Sequence, residues 1–208
     1  MRTLRSVNGL TRLAYVSVPI TSGELYYERI INNPFVEKDA VTKQVIPLNY
    51  EAGHSLVQDV VRRRGCPVVY PADLIPVHQQ WEQADFQALW LSIIGEMVTE
   101  VHMSRGWACS NGCAEEFASV MQLRLGVPKH HDLIFFNTKG REEDERLRMR
   151  SIQVFDHRGK VITLEEGREA ISKSVVWLEG HGIPYGRLLH CVTALDITKT
   201  MLRDGFYQ

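Results

Sequence analysis

The chain reads as an α/β protein built on a doubly wound parallel sheet, and three observations predict it. Short β-branched or aromatic runs at 12–20, 66–75, 96–103 and 131–137 alternate with helical stretches. The stretches between them are long enough to serve as crossovers, so neighbouring strands can lie parallel. Apolar residues make up 44% and charged residues 24% of 208 residues, the balance of an ordinary globular domain with a sizeable core.

RLAYVSVPI (12–20) predicts a buried first strand that stops at Pro19. From 21 to 49 no clean period holds, so a short helix and an irregular stretch are expected. YEAGHSLVQDVVRRRG (50–65) predicts a helix: Leu56, Val57, Val60 and Val61 form a stripe, Arg62 to Arg64 suit the C-terminal dipole, and Gly65 ends it. CPVVYPADLI predicts a second strand ending at Pro71. QQWEQADFQALWLSIIG (79–95) predicts a helix with Trp81, Phe86, Leu89, Trp90 and Ile93 at helical spacing. EMVTEVHM predicts a third strand, although Glu96, Glu100 and His102 are unusual in a strand buried on both faces.

SNGCAEEFASVMQLRLG (110–126) predicts a helix with Ser110 or Asn111 as N-cap, and HDLIFFN (131–137) a fourth strand. SIQVFDHRGKVITL predicts a hairpin turning at Arg158-Gly159, and the segment from Glu165 to Gly182 a long helix. The last stretch, from Ile183, is ambiguous between helix and strand. Residues 1–140 are thus expected to form the α/β domain, with 141–208 a hairpin-plus-helix extension packed on it.

Net charge is −1, so no basic field points to a nucleic-acid polymer or an anionic membrane. No run reaches 18 apolar residues, and the stretch holding Arg2, Arg5 and Arg12 has no uninterrupted apolar segment. A cytoplasmic protein without signal peptide or membrane span is expected. The four cysteines, Cys66, Cys109, Cys113 and Cys191, lack paired-ligand spacing and read as reduced thiols; no metal and no cofactor is expected, Cys109, Cys113 and His102 notwithstanding.

The ligand-bearing loops of such a sheet lie past the strands' carboxyl ends. There stand Ser17 to Gly23, Pro71 to Leu74 and Ser104 to Gly112, the last running into GWACSNGCAEE (106–116). Gly112 lets backbone approach a ligand closely, Ser110 and Asn111 can donate to a phosphate, and the helix start suits an anion. Glu116 lies about a turn further in, rotated about 100° from Glu115, so only one of them can face a given target. The plain alternative is that both are favourable charges near a helix start. Tyr15, inside a buried strand, needs a partner for its hydroxyl, and a carboxylate over the sheet provides one.

The residues YVSVPIT, Trp81 and Asp85 of WEQAD, and Trp107, Ser110, Gly112 and Glu116 together resemble the nucleoside 2-deoxyribosyltransferase superfamily, including its small bacterial and phage branches. The resemblance spans roughly 12–137. It implies a flavodoxin-like sheet, a homodimer or larger oligomer, and chemistry at the N-glycosidic bond of a nucleoside or nucleotide. It further implies Glu116 as nucleophile, Tyr15 as the residue orienting it, and Asp85 as the acid that protonates the departing base. Ser17, Pro19, Trp107, Ser110, Asn111 and Gly112 then fall to substrate binding.

Ser110 stands where the transferases carry Asp and the nucleoside 5′-monophosphate N-glycosidases of the superfamily carry a phosphate-binding Ser. Glu96 and Val18 depart from the family pattern. The expectation is therefore a nucleotide N-glycosidase. Its rivals are a deoxyribosyltransferase, a nucleotide-binding or sensing protein without turnover, and a phosphate-binding regulatory fold. The apolar load of the helix at 79–95 exceeds one stripe, which adds a two-fold dimer to the expectations.

Overall fold

A computed structural model describes residues 12–74, 82–124 and 152–204. They form a four-stranded, all-parallel sheet and six helices, an architecture compatible with a doubly wound α/β fold. The strands are β1 (Ala14–Ser17), β2 (Val68–Val69), β3 (Glu100–Met103) and β4 (Gln153–Phe155). The helices are α1 (Glu24–Asn32), α2 (Lys38–Arg64), α3 (Gln83–Met97), α4 (Asn111–Arg124), α5 (Leu164–Gly180) and α6 (Gly186–Arg203). The strand order is β2-β1-β3-β4. The winding order reverses between β1 and β3, the kind of switch point at which open α/β sheets bind ligands, and the loops leaving these two strands meet there, with Ser22 of one 3.2 Å from Ser110 beyond the other.

Alternation along β1 sorts its side chains to two faces. Ala14 and Val16 pack with Leu56 and Val60 of α2, while Tyr15 joins the larger core built with α3, α4, α5 and α6. Ser17, two residues on from Tyr15, shares its face.

Helix α2 is longer than the sequence predicts. It begins at Lys38 and runs through Pro47. A proline inside a helix removes a backbone hydrogen bond and costs about 3 kcal/mol. Its buried positions Val41, Val45, Gly53, Leu56 and Val60 keep helical spacing on both sides of the proline, and burial of this face, with Leu56 and Val60 against β1, offsets that cost.

The expected hairpin forms, with Ile162 N donating to Val154 O across its arms, and it is also joined to the sheet. Its first arm is β4, which pairs parallel with β3 in the main sheet through Glu100↔Gln153 and Val101↔Val154. Beyond the turn at Gly159 the second arm contributes one antiparallel bridge, Phe155↔Val161. The strand expected at 131–137 lies outside the described residues. The ambiguous last stretch is helix α6, whose Leu188, Cys191 and Leu195 join the main core beside Ile171 and Leu178 of α5. Helix α5 opens with a capping box between Thr163 and Glu166.

The polar residues of β3 are buried by pairing. Arg64 Nε donates to Glu100 Oε2 at 2.7 Å and Arg12 Nε to Oε1 at 3.1 Å. His102 stacks on Phe155 with ring centroids 4.9 Å apart. A carboxylate inside the fold is tolerable when ionised partners satisfy its oxygens.

Helix α3 does not carry the surplus apolar surface that its sequence suggests. Trp90, Leu91, Ile93 and Ile94 are all buried within one chain, and Phe86 and Leu89 pack against the same core. A dimer therefore no longer follows from this helix. Trp81 lies outside the described residues. No described helix is long and apolar enough to cross a membrane. All four cysteines are free and buried, and no metal-binding cluster occurs among the described residues.

Candidate active site

Two strand residues and one helix residue make the centre. The Tyr15 hydroxyl donates to Glu116 Oε1 at 2.7 Å, and the Ser17 hydroxyl donates to Oε2 at 2.6 Å. Tyr15 and Ser17 stand on the same face of β1 because they are two residues apart. Helix α4 lies across that face and lowers Glu116 between them. Tyr15 is fully buried, Ser17 is 1% exposed and Glu116 is 7% exposed.

This burial pushes the Glu116 carboxyl up to about 7; the hydrogen bonds from Ser17 and Tyr15 pull the other way, and the charge of Glu115 adds to the rise. Burial, then the charge of Glu116, holds the Tyr15 hydroxyl well above the usual tyrosine range. Near neutrality the centre therefore carries a poorly hydrated carboxylate in balance with its acid, clamped in one orientation. Such a group can attack an electrophilic carbon or exchange a proton.

Glu115 faces elsewhere, as the rotation along the helix predicts, but it is not a solvated charge. It is completely buried and takes a two-pronged ion pair from Arg187 of α6, with Nε and Nη2 each at 2.7 Å. Burial still raises its pKa against the pull of Arg187.

The start of α4 stands beside the loop that follows β1. Ser110 is buried, and its hydroxyl lies 3.2 Å from that of Ser22 in the loop after β1. Ser22 escaped the reading of single residues, although it lies in the PITSG loop already placed at the strand's carboxyl end. The loop turns tightly there. Gly23 has φ +99°, and a Cβ on it would stand 2.7 Å from Cβ of Pro19. Pro19 is thus spent on shaping the loop. Asn111 and Gly112 form the first turn of α4, both partly exposed.

Three expected residues take other places. Asp85 is exposed at the start of α3, where its carboxylate accepts the Glu82 backbone N–H at 2.9 Å in a capping box. It is committed to the helix end. Trp107 packs against Phe117, their rings tilted 37° with centroids 4.8 Å apart, and borders a shallow hollow with Lys160, Ile162 and Glu166. It anchors the core beside α5. Ser17 serves the carboxylate directly, which its expected role in substrate binding did not include.

Comparison with protein-family models, with curated proteins and with solved structures finds no match.

Proposed function

We propose that the protein cleaves the N-glycosidic bond of a nucleoside 5′-monophosphate, with Glu116 as nucleophile. One observation carries this reading: a buried carboxylate, held on both oxygens by Tyr15 and Ser17, one helical turn inside a helix start that two serine hydroxyls flank. A phosphate on the first amides of α4 and on Ser110 and Ser22 would bring the sugar of the same molecule to Glu116. The strand order supports a flavodoxin-like sheet, in which ligands bind at the crevice where these groups stand.

The reaction is a double displacement. A Glu116 oxygen bonds to the anomeric carbon as the carbon–nitrogen bond breaks, and the departing base takes the electron pair and later a proton. Water then adds to the same carbon, the ester bond to Glu116 breaks, and the carboxylate is restored. The net change is nucleotide plus water to base plus sugar 5-phosphate. Tyr15 and Ser17 fix the direction of attack, and the negative charge of Glu116 stabilises the oxocarbenium-like transition state.

Incubation with a panel of nucleosides and nucleoside 5′-monophosphates, followed by chromatography for free base, tests the reading. Release from the monophosphates, much slower from the nucleosides, is expected. Transfer of the sugar to an added base in place of hydrolysis would identify a transferase. Asp85, committed to its capping box, favours one second reading: a nucleotide-binding protein without turnover. Tight binding of the monophosphate with no base released would establish it.

A further inference from the structure

Helix α3 brings Gln87 against the first turn of α4. Its Oε1 lies 3.7 Å from the point where a Cβ on Gly112 would stand. Its Nε2 is shut away from solvent and finds no hydrogen-bond partner among the described residues. An unpaired buried amide donor costs about 1–3 kcal/mol, so a position that keeps one has something for it to meet.

The place is informative. Gly112 and Glu116 are four residues apart and share one face of α4. Helical side chains lean toward the N-terminus, so Glu116 reaches back over the turn that holds Gly112. Gln87 and Glu116 therefore approach the same first turn of α4, one from α3 and the other from within the helix.

We infer that Gln87 Nε2 donates a hydrogen bond to a ring nitrogen or carbonyl oxygen of the departing base. This rests on the glycosidase reading. Of the three parts of a nucleotide, the phosphate has the α4 start with Ser22 and Ser110, and the anomeric carbon has Glu116. The base is the part left to meet the unpaired donor. As the carbon–nitrogen bond breaks, the base takes the electron pair and gathers negative charge. The amide N–H stabilises that charge but holds no acidic proton to give, so the base is protonated by water. Gln87 thereby takes the place on α3 that Asp85, exposed and capping the helix, does not fill.

Leaving-group dependence tests this. Wild type and Gln87→Met, checked for equal thermal stability, are compared on nucleoside 5′-monophosphates and on a sugar 5-phosphate carrying 4-nitrophenol. Nitrophenolate departs without help. The expected result is a kcat loss on the order of tenfold to a thousandfold on the nucleotides and under about threefold on the nitrophenyl substrate. Gln87→Glu should exceed Gln87→Met on the nucleotides when the two are compared at the same acidic pH, where its carboxyl can donate, and lose that advantage as the pH rises. Equal losses on both substrates, or none on either, would overturn the role of Gln87 while leaving Glu116 standing. A wild-type protein that cleaves neither substrate would overturn the glycosidase reading, and this inference with it.

Discussion

Replacing Glu116 by Gln should remove a specific pH dependence from the stability of the fold. The Glu116 carboxyl titrates at about 7 in the folded chain against an ordinary 4.5. A folded-state pKa raised above the unfolded one means that the native protein keeps a proton the unfolded chain has lost. That stability is fully present below about pH 4.5 and disappears as the pH rises through about 7. While the folded and unfolded chains differ by one bound proton, each step of one pH costs about 1.4 kcal/mol, so this group withdraws about 2 kcal/mol between pH 5 and pH 8. Gln fills the same space without titrating, and the Tyr15 and Ser17 hydroxyls can each donate or accept to suit it. Urea unfolding of both proteins at four pH values across that range supplies the difference. Relative to Glu116→Gln, the wild type should lose about 2 kcal/mol on going from pH 5 to pH 8. Groups common to both proteins cancel in the comparison apart from those coupled to Glu116: Glu115, Tyr15 and Cys113. Parallel curves would refute the buried, raised carboxyl and with it the physical basis of the site.

Three further outcomes are expected. Base release should rise with pH through about 7 as Glu116 ionises; a flat profile over that range would exclude a titrating nucleophile. Gly167→Ala would put a Cβ 1.9 Å from the ring of Phe117, and the overpacking should cost about 1–3 kcal/mol in thermal or urea unfolding. Arg187→Met leaves Glu115 buried without its partner. It should destabilise by up to about 3 kcal/mol, since Arg187 is half exposed and screened by solvent. The double change Glu115→Gln with Arg187→Met should recover much of that loss, and a double variant no better than the single one would show that the pair is not coupled.

Much of the centre is legible in the sequence because it depends on local geometry. Two residues on one strand face and a glutamate one turn inside a helix are fixed by the periods of strand and helix. Tyr15, Ser17 and Glu116 meet for that reason. What the sequence hides is tertiary. Pro47 argues locally for a break, yet burial of Val41 and Val45 carries the helix through it. QVF is legible as half of a hairpin, but nothing local tells that the edge of β3 also takes it as a parallel neighbour. Glu115 beside Glu116 looks like a surface charge until α6, itself ambiguous from sequence, delivers Arg187. Asp85 looks like a free acid because a capping box involving Glu82 leaves only a weak local signature. Ser22 and Gln87 gain meaning only when the loop after β1 and helix α3 converge on the start of α4.

Trapping the glycosyl ester is the most direct test of Glu116 as nucleophile. A 2-deoxy-2-fluoro sugar 5-phosphate bearing a good leaving group forms the ester but hydrolyses it slowly, because the fluorine destabilises the oxocarbenium-like transition state. Intact-mass measurement after a short incubation, followed by peptide mapping, should find one sugar phosphate per chain, attached at Glu116. The same treatment of Glu116→Ala should leave the mass unchanged. Label on another residue, or base release that continues undiminished in Glu116→Ala, would contradict the account.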